Sequence, residues 1–149
     1  MNAITKIGFL KDADLFRQRG LIGDVWQHAH SNATVDVIDP ASLEVLGTVP
    51  DMGRDETRAA IDAAQAAFKD WKARTHAERG ALLERWHSLI LENAEDLALL
   101  LTLEQGKPLA EARGEIRYGA SFVKWFAEEA RRIGGSTICL LYTSDAADE

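Results

Sequence analysis

The spacing of apolar residues changes once along this sequence, at Gly53. Before it lie three short runs rich in branched apolar residues, 21–26, 34–38 and 45–49, which is the pattern of β-strands. After it, apolar residues recur at steps of three and four as far as Ile133, which predicts amphipathic helices. No strand pattern interrupts the helices, so we expect no parallel sheet of alternating strands and helices within this chain.

The strand region carries its own turn signals. A polar loop at 27–33 separates the first two runs, and we predict that they pair as an antiparallel hairpin. The third run ends at Pro50, which cannot donate to a sheet. Residues 10–19 are helix-like, with Gly20 placed to end a short helix.

Four helices are predicted after Gly53. The second begins with a capping box, Thr75 followed by Glu78. The third begins at Asn93 and ends at Gly106, a residue that readily adopts the left-handed conformation. Pro108 suits the first turn of the fourth, which is predicted to continue to about residue 133. The apolar stripes expected to pack inward are Ile61, Ala64, Phe68 and Trp71; Leu82, Trp86 and Leu89; Leu97, Leu100 and Leu101; and Ala112, Ile116, Val123, Phe126 and Ala130.

Composition narrows the class of protein. A chain of 149 residues is long enough for one domain with a core. Its formal net charge of -7 and the absence of a basic run predict no nucleic-acid partner. The most apolar stretch, 97–103, is far shorter than the roughly 20 residues that cross a bilayer, so no membrane span is predicted. The first ten residues lack a secretory signal, which indicates a cytoplasmic protein.

The last eleven residues, CLLYTSDAADE, differ abruptly from the rest. They resemble the translation of a transposase adapter used to prepare sequencing libraries. We therefore expect residues 1–138 to be native and residues 139–149 to be a foreign tail. Cys139 is the single cysteine, and since it falls in this tail it is not a candidate nucleophile.

Residue spacing alone predicts no catalytic, metal-binding or cofactor-binding residue. His28 and His30 would share one face of a strand, but no third ligand stands at metal-binding spacing. Glu104 and Glu111 fall on different helices and do not predict an acid–base pair. Tyr118 and Phe122 are four residues apart on the last helix, a spacing that allows both rings to line a cleft.

Two segments closely resemble the N-terminal region of the aldehyde dehydrogenase superfamily: TLEQGKPLAEARGEI at 102–116 and WFAEEARRIGG at 125–135. Similar stretches occur at 21–26, 37–53 and 55–64. The EQGKP run and the acidic WFAEE segment favour the subgroup that oxidises succinate semialdehyde and related semialdehydes. Asp39 stands where this family usually has asparagine.

The resemblance implies an α/β aldehyde dehydrogenase fold. This chain would supply an N-terminal β-hairpin and short strands, followed by four α-helices of the cofactor-binding domain without its Rossmann sheet. It also implies oxidation of a small aldehyde to a carboxylic acid by NAD or NADP, through a cysteine thiohemiacetal and thioester, in a homo-oligomer. The catalytic and dinucleotide-binding groups of the family come after residue 138, so we expect the chain alone to be inactive.

The resemblance also suggests substrate-side residues. The family lines its substrate funnel partly with the helix that matches 115–133, which makes Tyr118 and Phe122 the best candidates and Ser121 the third. Arg113 and Arg117 lie on the same helix, and we expect them to be solvated rather than bound to a substrate carboxylate. The alternative function is a non-catalytic helical interaction module whose apolar stripes bind a partner.

Overall fold

The computed structural model describes residues 8–134, in which two small β-hairpins precede four helices. The expected order of short strands and four helices is therefore confirmed, and no Rossmann sheet is present among these residues. The predicted tail, 139–149, lies outside the described range. None of the helices in the described range is both long and apolar enough to cross a membrane. The strands are β1 (Gly20–Ile22), β2 (Val25–Gln27), β3 (Thr34–Ile38) and β4 (Val45–Pro50), and the helices are α1 (Arg54–Ala73), α2 (His76–Glu92), α3 (Ala94–Gln105) and α4 (Leu109–Glu129).

The predicted pairing of the strands is wrong. Residues 21–26 do not form one strand that pairs with 34–38; they contain the turn of a separate hairpin, in which β1 pairs with β2. Gly23 opens its two-residue loop with a φ of 64°, a conformation that suits glycine and that closes tight hairpins. β3 pairs instead with β4, across a turn in which Asp39 Oδ1 accepts a hydrogen bond from the Ala41 N–H at 2.8 Å.

The short helix predicted at 10–19 is also wrong, because only a 3-10 turn forms there, at Ala13–Leu15. The Asp12 carboxylate accepts a hydrogen bond from the Asp14 N–H at 3.0 Å, which satisfies the start of that turn. The Asp12 N–H in turn donates to Asp96 Oδ2 on α3 at 2.9 Å. This long-range bond joins the segment to the helices.

Three predicted helix boundaries are confirmed. The Thr75 N–H donates to the Glu78 carboxylate at 2.8 Å, and the Glu78 N–H donates back to Thr75 Oγ1 at 3.3 Å, which completes the capping box of α2. Gly106 ends α3 with a φ of 72°. The predicted start of α3 at Asn93 is confirmed as well, since Asn93 is the N-cap residue of α3; its side chain donates to the Leu89 carbonyl at 2.9 Å, at the end of α2.

Two packing contacts among the described residues bear on the candidate site and on the hairpins. Leu46 of β4 and Leu103 of α3 form a small apolar cluster with Phe16, Val37 and Leu99. The second contact joins α2 to α4 and includes Ala127, which is fully buried; Ala112 and Ala120 of α4 are also at most 1% exposed. A Cβ added to Gly80 of α2 would lie 3.1 Å from the Ala127 carbonyl oxygen, so the two backbones approach closely there.

Several large side chains that were predicted to pack inward are exposed. Trp86 is 56% exposed and Phe126 is 60% exposed, because α2 and α4 approach closely at Gly80 and Ala127 and these two rings lie outside that contact. The third helix agrees better with prediction, since Leu97, Leu100 and Leu101 are half-buried. The other exposed members of the predicted stripes are Ile61, Ala64, Phe68, Trp71, Leu82 and Leu89.

Candidate functional site

Helix α4 carries all three candidate substrate residues, and its sides differ in chemistry. One side is buried against α2 and α3 and contains Ala112, Ala120 and Ala127. With 3.6 residues per turn, the side opposite the buried one presents four exposed aromatic rings. A narrower polar side lies between the buried side and the aromatic side. We call the aromatic side the aromatic face; its rings are Tyr118, Phe122, Trp125 and Phe126. The polar side consists of Arg117, Ser121, Lys124 and Glu128.

Tyr118 and Phe122 lie together, as their spacing predicts. Their ring centroids are 4.8 Å apart and the rings meet edge to face, with an interplanar angle of 77°. This is a favourable arrangement for two aromatic rings. Tyr118 is 66% exposed and Phe122 is 48% exposed, so the pair forms an outward-facing apolar surface on a regular helix.

Ser121 does not join this pair. Its hydroxyl donates to the Tyr118 carbonyl oxygen at 2.7 Å, within the same helix. Ser121 instead lines an open groove of about 530 Å³ between α2 and α4. The other residues of this groove are His87, Leu91, Arg117, Lys124, Trp125 and Glu128.

The two arginines of α4 have different surroundings. Arg113 Nε lies 2.9 and 3.1 Å from the two carboxylate oxygens of Glu95 on α3, and one of its terminal nitrogens lies 2.9 Å from the same group. The hydrogen bond from Arg113 lowers the pKa of Glu95, and the same bond raises the pKa of Arg113. Arg113 is therefore ion-paired with Glu95 rather than only solvated, and its guanidinium group is engaged in that pair. Arg117 forms no ion pair with any residue in the described range and lines the groove.

A carboxylate that the sequence analysis did not single out lies near the start of α1. Glu56 is buried and accepts hydrogen bonds from the backbone N–H groups of His30 at 2.9 Å and Gly53 at 3.0 Å. The bond from His30 is the main cause of its lowered pKa. Glu56 stands three residues after the cap position Gly53, so the capping pattern could have predicted its hydrogen bond to the Gly53 N–H. No pattern in the sequence indicated its contact with His30. Glu56 joins the β2–β3 loop to α1, which is a structural role.

Neither histidine of that loop belongs to a metal cluster among residues 8–134, where no group of three or more His, Cys, Asp or Glu side chains is arranged to hold a metal ion. His30 Nδ1 lies 3.5 Å from Glu56 Oε1, and its side chain is 70% exposed.

Comparison with known proteins places this chain in a family. The model of the aldehyde dehydrogenase family matches residues 26–147. A glutarate-semialdehyde dehydrogenase of Pseudomonas putida is 58% identical over 129 residues, and a succinate-semialdehyde dehydrogenase (NADP(+)) of Escherichia coli is 56% identical over 129 residues. Each alignment covers 87% of this chain and 27% of the relative.

The structural match agrees with the sequence match. The crystal structure of succinate-semialdehyde dehydrogenase from Burkholderia pseudomallei superposes with a TM-score of 0.86 at 56% identity, over 88% of this chain and 27% of that one. The chain thus spans about a quarter of the length of the relatives it matches. Because the family model covers most of the sequence and the fold agrees with a solved member, the chain belongs to the aldehyde dehydrogenase family.

Proposed function

We propose that this chain is the N-terminal part of an NAD(P)+-dependent semialdehyde dehydrogenase, which oxidises succinate semialdehyde or a similar aldehyde to the carboxylic acid. The observation that carries the proposal is the identity of 56–58% to two enzymes named as semialdehyde dehydrogenases, over 87% of this chain. The dinucleotide, when bound to the complete protein, supplies the hydride acceptor. The cysteine nucleophile belongs to the part of the complete protein that follows this chain.

Within this chain, we propose that Tyr118 and Phe122 form one wall of the substrate passage. The support is their exposure, their edge-to-face contact and their position on a regular helix, which holds both rings in place. An apolar wall keeps water away from the aldehyde and favours the small apolar part of the substrate. Ser121 stands at the edge of this wall, and because its hydroxyl is engaged by the Tyr118 carbonyl its contribution is smaller.

The experiment requires the complete protein, purified and supplied with succinate or glutarate semialdehyde and with NAD+ or NADP+. We expect reduced nicotinamide to form, and we expect Tyr118→Ala and Phe122→Ala each to raise KM about tenfold, the effect of losing about 1.4 kcal/mol of contact. Ser121→Ala should change KM less than either. Trp86→Ala, on the outer side of α2, is the matched aromatic control and should leave KM unchanged. Failure to oxidise any semialdehyde with either dinucleotide would refute the proposal.

The extent of the native sequence is part of the same proposal. We place the native N-terminal portion at 1–138 and the foreign tail at 139–149, and we propose that the complete protein is a cytoplasmic homo-oligomer. Sequencing the source locus tests the boundary: a frame that continues past residue 138 with different residues supports it, and the same eleven residues in the genome contradict it. Light scattering on the complete protein tests the assembly.

The competing function is a helical interaction module without catalysis. The exposed apolar residues of α1, α2 and α4 are the observation that favours it. It predicts a natural stop codon near residue 138 and a stable, monodisperse short chain. The proposed dehydrogenase predicts the opposite on both counts, and the 149-residue chain should show no turnover.

A further inference from the structure

Four basic residues lie along one side of α4 and of the short 3-10 turn, Ala130–Arg132, that continues it. They are Arg113, Arg117, Lys124 and Arg131, and they follow one another at steps of four, seven and seven. Such steps return to the same side of a helix. This side is therefore locally basic, although the whole chain has a formal net charge of -7.

Three of the four basic residues have a carboxylate partner within the chain. The pairs are Arg113 with Glu95, Lys124 with Glu128 and Arg131 with Glu84, and their N–O distances are 2.9, 3.7 and 3.5 Å. Arg117 is the fourth, and it pairs with no carboxylate of residues 8–134. The pKa of Glu95 is lowered mainly by the hydrogen bond from Arg113 and, to a smaller extent, by the charge of Arg117. Both oxygens of that carboxylate are engaged by Arg113, so the Arg117 guanidinium keeps its donors for another anion.

The groove between α2 and α4 places Arg117 beside apolar side chains. Leu91 of α2 and Trp125 of α4 line the same groove of about 530 Å³ and are 43% and 58% exposed. The groove is therefore built by two helices and joins one cation to an apolar surface. Such a combination can hold a ligand that has both an anionic group and an apolar body.

A smaller depression adjoins the groove and shares Leu91 and Arg117 with it. Its other charged residues are Lys11, Glu92, Glu95 and Asp96. Each of these three carboxylates accepts a hydrogen bond within the chain, whereas Lys11 has no ion pair in the part of the chain that the structure describes. Among the residues that line the two depressions, the charges left without a partner are therefore positive.

We propose that the groove between α2 and α4 binds a small organic monocarboxylate with an apolar body. The carboxylate pairs with the Arg117 guanidinium, whose planar fork can donate to both oxygens, and the apolar body packs on Leu91 and Trp125. One anionic group fits the site because the other three basic residues of this side already have partners. Arg117 lies about 100° around the helix axis from Tyr118, so this site is separate from the wall formed by Tyr118 and Phe122 and does not rest on the proposed function.

Calorimetric titration with 3-phenylpropionate tests the site in the 149-residue chain and in the complete protein. We expect saturable binding in both, with a Kd on the order of 1 mM. Arg117→Gln should raise that Kd about tenfold or more, and Arg117→Lys, which keeps the charge without the fork, should raise it less. Trp125→Ala should also weaken binding. Arg58→Gln, at an exposed arginine of α1 that does not line the groove, is the matched control and should leave Kd unchanged.

Two further ligands separate the charge from the apolar body. 3-Phenylpropanamide keeps the ring without the charge, and acetate keeps the charge without the ring. Each should bind about tenfold more weakly than 3-phenylpropionate, or weaker still, because each loses one of the two contacts. Added salt should weaken the binding of the carboxylate and leave that of the amide unchanged.

Five outcomes would overturn the proposal. Equal binding of the amide would show an apolar surface without anion recognition, and an unchanged Kd in Arg117→Gln would place the ligand elsewhere. Saturable binding in neither form would show that there is no site. Binding by the short chain alone would show that the groove is covered in the complete protein. A hexaglutamate peptide that binds more tightly than 3-phenylpropionate, and loses this binding in Arg117→Gln, would identify an acidic protein segment as the occupant instead.

Discussion

Replacing Leu103 with alanine tests whether the small cluster around Leu46 holds the β3–β4 hairpin to the helices. Leu103 is 7% exposed and contacts Leu46, with Phe16, Val37 and Leu99 packed around them. No other cluster of large buried apolar side chains joins strands to helices in the described range. Loss of this contact should therefore release the hairpin.

The size of the effect follows from the volume removed. Leu103→Ala removes three carbon atoms, which is about 2.4 kcal/mol of transfer free energy at about 0.8 kcal/mol for each. The remaining cavity adds to this loss, but a cluster with two buried and three partly buried members can collapse, which favours the lower end of the range for such substitutions. We expect the free energy of local opening to fall by about 2–3 kcal/mol.

Amide hydrogen exchange with mass spectrometry suits this measurement, because it does not require a cooperative melt. A loss of about 2–3 kcal/mol corresponds to exchange that is roughly 30 to 150 times faster at the protected amides of β3 and β4. Leu43→Ala makes the same chemical change at a side chain that is 78% exposed, and should alter exchange less than about threefold.

The comparison between the two leucines decides the outcome. Exchange in β3 and β4 that is equally fast in both variants would show that Leu103 does not hold the hairpin. The reasoning would fail in the same way if Leu103→Ala accelerated only the amides of α3 and left the hairpin protected.

Three further predictions concern single residues of the described range. Glu56 has a lowered pKa in the folded chain. Its stabilising contribution is therefore present above the ordinary pKa of 4.5 and is lost as the pH falls through the folded value. The free energy of unfolding, measured from pH 6 downwards, should fall less steeply in Glu56→Gln than in the parent chain. Thr75→Ala removes the side-chain cap of α2 and should cost about 1 kcal/mol, seen as faster exchange in its first turn, whereas an unchanged first turn would contradict the capping box. Leu43 has a φ of 60°, so Leu43→Gly should stabilise the β3–β4 turn by about 1 kcal/mol, and slower exchange at the Leu43 and Glu44 amides would support this.

In the candidate site, contacts between residues close in sequence were predictable, and contacts between different helices were not. The pairing of Tyr118 with Phe122 was predictable, because residues four apart on a helix meet regardless of the remaining fold. The separate position of Ser121 was not, since the groove it lines is formed by α2 together with α4. The engagement of Arg113 by Glu95 was equally hidden, because the two residues belong to different helices whose placement the sequence pattern does not specify.

Local chemistry determined where the elements begin and end. The hydrogen bonds at the Thr75 cap and at the Gly106 helix end join residues that are three or four positions apart. Their energies therefore do not depend on how the helices pack on one another. Local chemistry did not determine which strands pair or which apolar faces are covered. Gly23 lies in the turn that joins β1 to β2, β3 pairs with β4, and α2 approaches α4 closely at Gly80 and Ala127, while Leu82 and Leu89 of α2 are exposed. Those outcomes depend on which surfaces compete for the same neighbour, and an apolar stripe in the sequence does not say which neighbour will cover it, because hydrophobic attraction has no direction of its own.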